Sequence, residues 1–148
     1  MKAVIDSASL IFLFKTSELL RLIEKRFDKI IIPNAVYTEV VITGKAAGKS
    51  DAVQIEEELT KSFFEINKET SSIKANNLGA GECNAIFLAN KHKLPLLMDD
   101  KAAEKIAVAL GINVLPLSAF ILWAAKNKHV TKTKAIETLN ELVKAGYY

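Results

Sequence analysis

Cysteine occurs once in this chain of 148 residues, as Cys83, so no disulfide can form within it. Such sparing use of cysteine is the habit of a reducing compartment, and a cytoplasmic location is expected. Histidine is nearly as scarce, with His92 and His129 the only two, and one Cys with two His cannot complete a structural zinc site. Any metal must therefore be held by oxygen, which favours magnesium or manganese. No apolar run approaches the roughly 18 residues of a membrane span. Met1–Asp6 runs straight into a strand-like stretch and not into a leader with a cleavage site, so no membrane partner is expected. No glycine-rich turn follows the first strand, which argues against a dinucleotide site. Arginine appears only as Arg21 and Arg26, and the lysines that make up the rest of the positive charge are spread along the chain. The formal net charge of +3 neither demands nor excludes a nucleic-acid partner.

Half of the residues are apolar and a quarter are charged, an ordinary globular balance. Ala3-Val4-Ile5 reads as a buried strand ending on Asp6. A helix over Ser7–Phe14 follows, then one from Glu18 to Lys25 with Ser17 as its N-cap. Lys29–Ile32 is a β-branched strand bounded by Pro33, which suits the first turn of a helix over Asn34–Thr43. Gly44–Ser50 reads as a loop, Asp51–Ser62 as an amphipathic helix and Phe63–Ile66 as a third strand. Further on come a helix from Glu82 to His92, a strand over Leu94–Met98, a helix over Lys101–Leu110 stopped by Gly111, and a strand over Ile112–Leu115. Two helices close the chain, Leu117–Lys126 and Lys132–Ala145, the second capped by Thr131 or Thr133. Alternating strands and helices predict one α/β domain over residues 1–148, with a mostly parallel sheet of about five strands flanked by helices. The apolar stretches Leu10–Leu22 and Leu117–Ala125 are either core or an interface for a second copy or a partner protein.

Acids sit where apolar neighbours make them costly. Asp6 follows an apolar strand, either as an N-cap or at the carboxyl end of a sheet where ligands gather. Glu39 lies among Val36, Val40 and Val41 on a helix that is apolar nearly all round, where a carboxylate either escapes to the edge or is held by a cation. Glu82 opens a helix, a favourable place for an acid, and heads the face bearing Ala85, Ile86 and Ala89. Asp99-Asp100 closes the fourth strand, and alternation sends the two side chains different ways. Several carboxylates at one mouth repel each other unless a hard divalent ion intervenes, and metal-activated attack of water on a phosphodiester is the chemistry such a cluster serves.

The spaced pattern Val4-Ile5-Asp6-Ser7-Ala8-Ser9-Leu10-Ile11, Ile32-Pro33 leading to Glu39-Val40, Leu78-Gly79-Ala80-Gly81-Glu82 and Met98-Asp99-Asp100-Lys101-Ala102-Ala103 resembles the PIN-domain family over essentially the whole chain. The branch it looks closest to is that of the VapC-toxin-like prokaryotic members. The resemblance implies a three-layer PIN-like fold and a hydrolase cutting RNA phosphodiesters. Asp6, Glu39, Glu82 and Asp100 would be catalytic and hold Mg2+ or Mn2+, with Asp99 as a competing or additional ligand and Ser7 beside the metal. It also implies a homodimer and an antitoxin protein as partner. The rival expectation is a PIN fold that binds RNA or protein and cuts poorly or not at all. Met98 stands where many members have a hydroxyl residue, and Asn84 where many carry another acid, a substitution expected to weaken the metal site.

Overall fold

The computed structural model describes residues 1–147; Tyr148, which ends the closing Gly-Tyr-Tyr run, lies outside the described residues. The β-branched and apolar runs form β1 (Lys2–Ile5), β2 (Lys29–Pro33), β3 (Phe64–Asn67), β4 (Leu96–Leu97) and β5 (Val114–Leu115). Every pairing is parallel, and the sheet order is β3-β2-β1-β4-β5. The helices are α1 (Ser7–Leu13), α2 (Ser17–Arg26), α3 (Asn34–Tyr37), α4 (Gly44–Ala46), α5 (Ser50–Glu58), α6 (Ala80–His92), α7 (Lys101–Ala109), α8 (Leu117–Lys126) and α9 (Lys132–Lys144), with a π-helical turn, Thr38–Thr43, joining α3 to α4. The chain thus has the five-stranded parallel α/β architecture expected of it.

Successive strand residues face opposite sides of a sheet, and this alternation divides the core in two. Ala3, Ile5, Ile30, Ile32 and Leu97 pack with residues of α1, α2, α8 and α9, such as Leu10, Leu22, Phe120 and Leu142. Val4, Ile31, Leu96 and Met98 pack against α6 and α7, through Ala85, Leu88, Ala103 and Ala107. The small residues on α6 and α7 let both helices lie close to the sheet. From β1 the chain moves outward to β2 and β3, then returns to the other side of β1 for β4 and β5. The crevice beyond the carboxyl ends of β1 and β4 is therefore a topological switch point, where open α/β sheets bind ligands.

Several boundaries differ from expectation for local reasons. The N-cap of α2 is Thr16, whose hydroxyl accepts from the Leu19 N–H at 3.1 Å, while Ser17 is the first helical residue. The expected loop over Gly44–Ser50 begins as helix. Gly44 is a site of close approach and not a breaker, since a Cβ there would lie 3.0 Å from the Ala52 Cβ of α5. The amphipathic helix ends at Glu58, short of Ser62, and α7 ends at Ala109, before Gly111 turns with φ of +79°. β4 is shorter than Leu94–Met98 because Pro95 can offer only its carbonyl, which takes the Val4 N–H at 2.9 Å. β5 likewise spans only Val114–Leu115 of the expected Ile112–Leu115, and α9 is capped by the Thr131 hydroxyl. The apolar helices are mostly spent on the core: Leu10, Leu13, Leu19 and Leu22 are buried, as are Leu117, Phe120, Ile121 and Ala124. In α8 only Leu122 and Trp123 stay exposed among the large apolar residues. Among the described residues no helix is long and apolar enough to cross a membrane.

Candidate functional site

The acids at the switch point are first of all helix caps. Asp6 leaves β1 and begins α1, its Oδ1 accepting from the Ser9 N–H at 2.8 Å. Asp100 does the same for α7, accepting from the Ala103 N–H at 2.8 Å. Glu82, the third residue of α6, turns back so that its Oε2 accepts from the Gly79 N–H at 2.8 Å. Asp99 serves α8 from across the crevice: Pro116 has no side-chain donor or acceptor to offer, and Asp99 Oδ1 accepts from the Leu117 N–H at 3.2 Å. Helix N-termini carry partial positive charge, which offsets part of the repulsion among these carboxylates.

Ser9 joins two of them. Fully buried, it gives its N–H to Asp6 and its hydroxyl to Asp99 Oδ2 at 3.0 Å. Asp6 is only 1% exposed, and burial pushes its carboxyl up to about 6, with the Asp99 and Glu82 charges adding to the rise and the Ser9 hydrogen bonds opposing it. Burial also raises Asp99, against hydrogen bonds from Tyr147, Ser9 and the Leu117 N–H. Asp99 and Asp100 turn to different partners, but both lie beyond β4, which ends at Leu97, so strand alternation is not what separates them. Asp99 is half-buried among its donors, whereas Asp100 is exposed.

Glu39 reaches the crevice from the π-helical turn, where its Oε2 accepts from the Ser7 hydroxyl at 2.5 Å. Gly81 makes room for that contact: a Cβ at Gly81 would sit 2.5 Å from Glu39 Oε2 and 2.7 Å from Ser7 Oγ. Asp6, Ser7, Glu39 and Glu82 line one cleft of about 280 Å³, bordered by Lys49 and Asp51. A neighbouring cleft of about 460 Å³ is lined by Glu82, Asp99, Asp100, Lys101 and Tyr147, so Glu82 and Ala8 belong to both.

Two expectations about substitutions resolve differently. Met98 is fully buried in the core against α6 and α7. Asn84, expected to weaken a metal site, is buried and held by two backbone groups: its Oδ1 accepts from the Ala35 N–H at 3.3 Å and its Nδ2 donates to the Glu69 carbonyl at 3.0 Å. Sequence reasoning missed Ser9 as the link between two acids, Gly81 as the gap that admits Glu39, and Tyr147. Ser9 and Gly81 lay inside the quoted motifs, but nothing in their spacing assigned them partners. Tyr147 had only the Gly-Tyr close of the chain as a signal.

The donor set is entirely oxygen and suits a hard divalent ion. Among the described residues no three His, Cys, Asp or Glu side chains already form a group that could hold a metal ion. One cleft nevertheless gathers the carboxylates of Asp6, Glu39 and Glu82 with the Ser7 hydroxyl, and in that respect the residues fit magnesium or manganese.

A family model described as "PIN domain" matches residues 2–148. Among solved structures, a PilT N-terminus domain protein from the hyperthermophilic archaeon Sulfolobus solfataricus superposes with a TM-score of 0.54 at 22% identity, over 81% of this chain and 90% of that one. At that identity the likeness speaks for the fold alone. No curated protein matches the chain.

Proposed function

Because the chain belongs to the PIN-domain family, we propose that it is a magnesium- or manganese-dependent ribonuclease working at the carboxyl ends of β1 and β4. The observation that carries this reading is the cleft in which Asp6, Glu39 and Glu82 meet at the switch point, with Asp6 buried and raised to about 6. Asp6, Glu39, Glu82 and Asp100 would hold the ion, with Asp99 as the further candidate. When bound, the ion supplies Lewis acidity toward a phosphate oxygen and makes water more acidic near neutral pH. The chain's own residues provide the setting. Ser9 fixes Asp6 and Asp99 relative to each other, and the Ser7 hydroxyl, now given to Glu39, is placed to turn toward a phosphate oxygen. Lys49 offers a positive charge at the rim. In the hydrolysis, water oxygen bonds to phosphorus, the bond from phosphorus to the 3′ oxygen breaks, and the 3′ oxygen leaves with a proton, giving a 5′ phosphate.

The test is incubation of purified protein with a mixed RNA pool. Cleavage should require manganese or magnesium, stop with EDTA and fall by at least tenfold in Asp6→Asn. RNA that stays intact in every condition, yet is retarded on a native gel, would replace this reading with that of a binding module. The narrower reading, a toxin acting as a homodimer and restrained by an antitoxin protein, rests on the sequence resemblance and on Leu122, Ile136 and Val143 left exposed on α8 and α9. A purely 16.3 kDa species in light scattering would remove the homodimer from it.

A further inference from the structure

A second cluster of chemistry lies apart from the acids. Phe27, Phe120, Trp123 and His129 form a ladder of rings. Phe27–Phe120, Phe120–Trp123 and Trp123–His129 have centroids 6.2, 5.5 and 5.1 Å apart, each pair inclined by 28°. The ladder begins in the core, with Phe27 and Phe120 buried, and ends in solvent, with Trp123 38% exposed and His129 exposed. Its outer end lines a cavity of about 290 Å³ shared with Leu22, Lys25 and Arg26. The Arg26 guanidinium lies over the Phe27 and Trp123 rings, 5.2 and 5.6 Å from their centroids.

The residues that line this cavity include Lys25 and Arg26 and no acid, while Glu18 lies near enough to Lys25 to feel its charge. The segment 126–134 holds four lysines and His129 and no acid. Among the described residues Lys25, Arg26, Lys126, Lys128 and Lys132 have no carboxylate in ion-pair contact. The cavity is also remote from the acids. Arg26 ends α2 just before β2 begins, at the amino end of the sheet, whereas α8 starts at Leu117 beside Asp99 and reaches Trp123 six residues on, about 9 Å along its axis.

We propose that this cavity is a second nucleic-acid site, in which an unpaired base stacks on the exposed end of the Trp123–His129 ladder and its flanking phosphates meet Lys25 and Arg26. An aromatic ladder open at one end beside unpaired cations matches a single strand, which offers a π face and a negative charge at every residue. A membrane surface would ask for apolar residues to insert, and an acidic peptide would leave the ladder's open end uncovered. Single-stranded RNA and DNA share the chemistry recognised here.

Trp123 is the only tryptophan, so intrinsic fluorescence reads this cavity directly. With EDTA present to prevent cleavage, an oligouridine decamer should quench Trp123 saturably, and an oligothymidine decamer should do the same. Raising salt from 50 to 200 mM should weaken binding about sevenfold for two neutralised phosphates, and Lys25→Gln or Arg26→Gln should each reduce the logarithmic salt slope by about 0.7. His129→Ala should lower affinity roughly tenfold with an unchanged circular dichroism spectrum. Asp6→Asn should quench like the wild type, which keeps this site distinct from the carboxylate cleft whether or not that cleft cuts RNA. Absence of quenching at millimolar decamer, or quenching that survives both Arg26→Gln and His129→Ala, would overturn the site. Fluorescence that changes with protein concentration alone would hand the cavity to a second copy of the chain instead.

Discussion

The Tyr147 hydroxyl donates to Asp99 Oδ1 at 2.5 Å and accepts from the Ser118 N–H at 3.1 Å, so the end of the chain returns to the carboxyl edge of the sheet. The ring also packs edge-on against Phe12, with centroids 5.2 Å apart. Tyr147→Phe keeps that packing and removes one of the donors that hold Asp99 ionised. It should cost about 1–2 kcal/mol in urea unfolding at neutral pH and raise the Asp99 pKa, read by carboxylate NMR. An unchanged midpoint with an unchanged Asp99 titration would show that the hydroxyl contributes nothing.

Gly81→Ala separates the site from the fold. The atoms nearest the new Cβ are the ends of two side chains, Glu39 and Ser7, and then Val36 Cγ2 at 3.4 Å. Those ends can move aside, and alanine is the better helix former by about 1 kcal/mol. Melting should therefore change by no more than a few degrees, while the stabilisation conferred by manganese and any metal-dependent cleavage should fall severalfold as Glu39 loses its place beside Ser7. A variant that responds to manganese like the wild type would remove Glu39 from the proposed ligand set.

Asp6 gives the cation-free protein an acid-leaning stability. Its folded pKa of about 6 lies above the ordinary 3.8, so between those values the folded state binds more protons than the unfolded one. Its protonated form favours folding fully below about 3.8, and that contribution is lost as pH rises through about 6, amounting to about 3 kcal/mol. In EDTA, the stability of the wild type relative to Asp6→Asn should fall between pH 4 and pH 7. Manganese, which needs ionised ligands, should restore more stability at pH 7 than at pH 5. A wild-type-minus-variant difference that is flat with pH would mean that Asp6 titrates as an ordinary carboxyl.

Asp99 and Asp100 should separate by stability as well as by metal response. Asparagine caps a helix nearly as well as aspartate, so Asp100→Asn should melt like the wild type. Asp99 accepts from Ser9, Leu117 and Tyr147, and an amide with one acceptor oxygen strands part of that set, costing about 1–3 kcal/mol. If Asp100 is the metal ligand, its Asn variant should lose the manganese-induced rise in melting temperature while Asp99→Asn keeps it. The reverse pattern would move the ligand to Asp99.

The legible parts of this chain were those governed by short-range pattern. Ile30-Ile31-Ile32 and Val4-Ile5 announce buried parallel strands because both faces of the sheet are covered, and Asp6 and Glu82 announce helix starts because they serve as caps in the folded chain. What depended on distant partners was hidden. Ser9 looks like any small helical residue until β4 delivers Asp99 to its hydroxyl. Gly44 looks like a breaker until α5 brings Ala52 against it. Trp123 and His129 carry no periodic signal that would stack them with Phe120.

The π-helical turn at Thr38–Thr43 has a consequence for comparing relatives. Such a turn accommodates a residue more than a regular α-helical turn, and one added residue turns the flanking helix segments by about 100° relative to each other. Glu39 lies within that turn. In a relative whose helix is regular there, the acid facing the same crevice would be displaced by one place in the count from Pro33. An alignment that forbids gaps inside helices would then pair Glu39 with the wrong neighbour and score the site as missing an acid that is present.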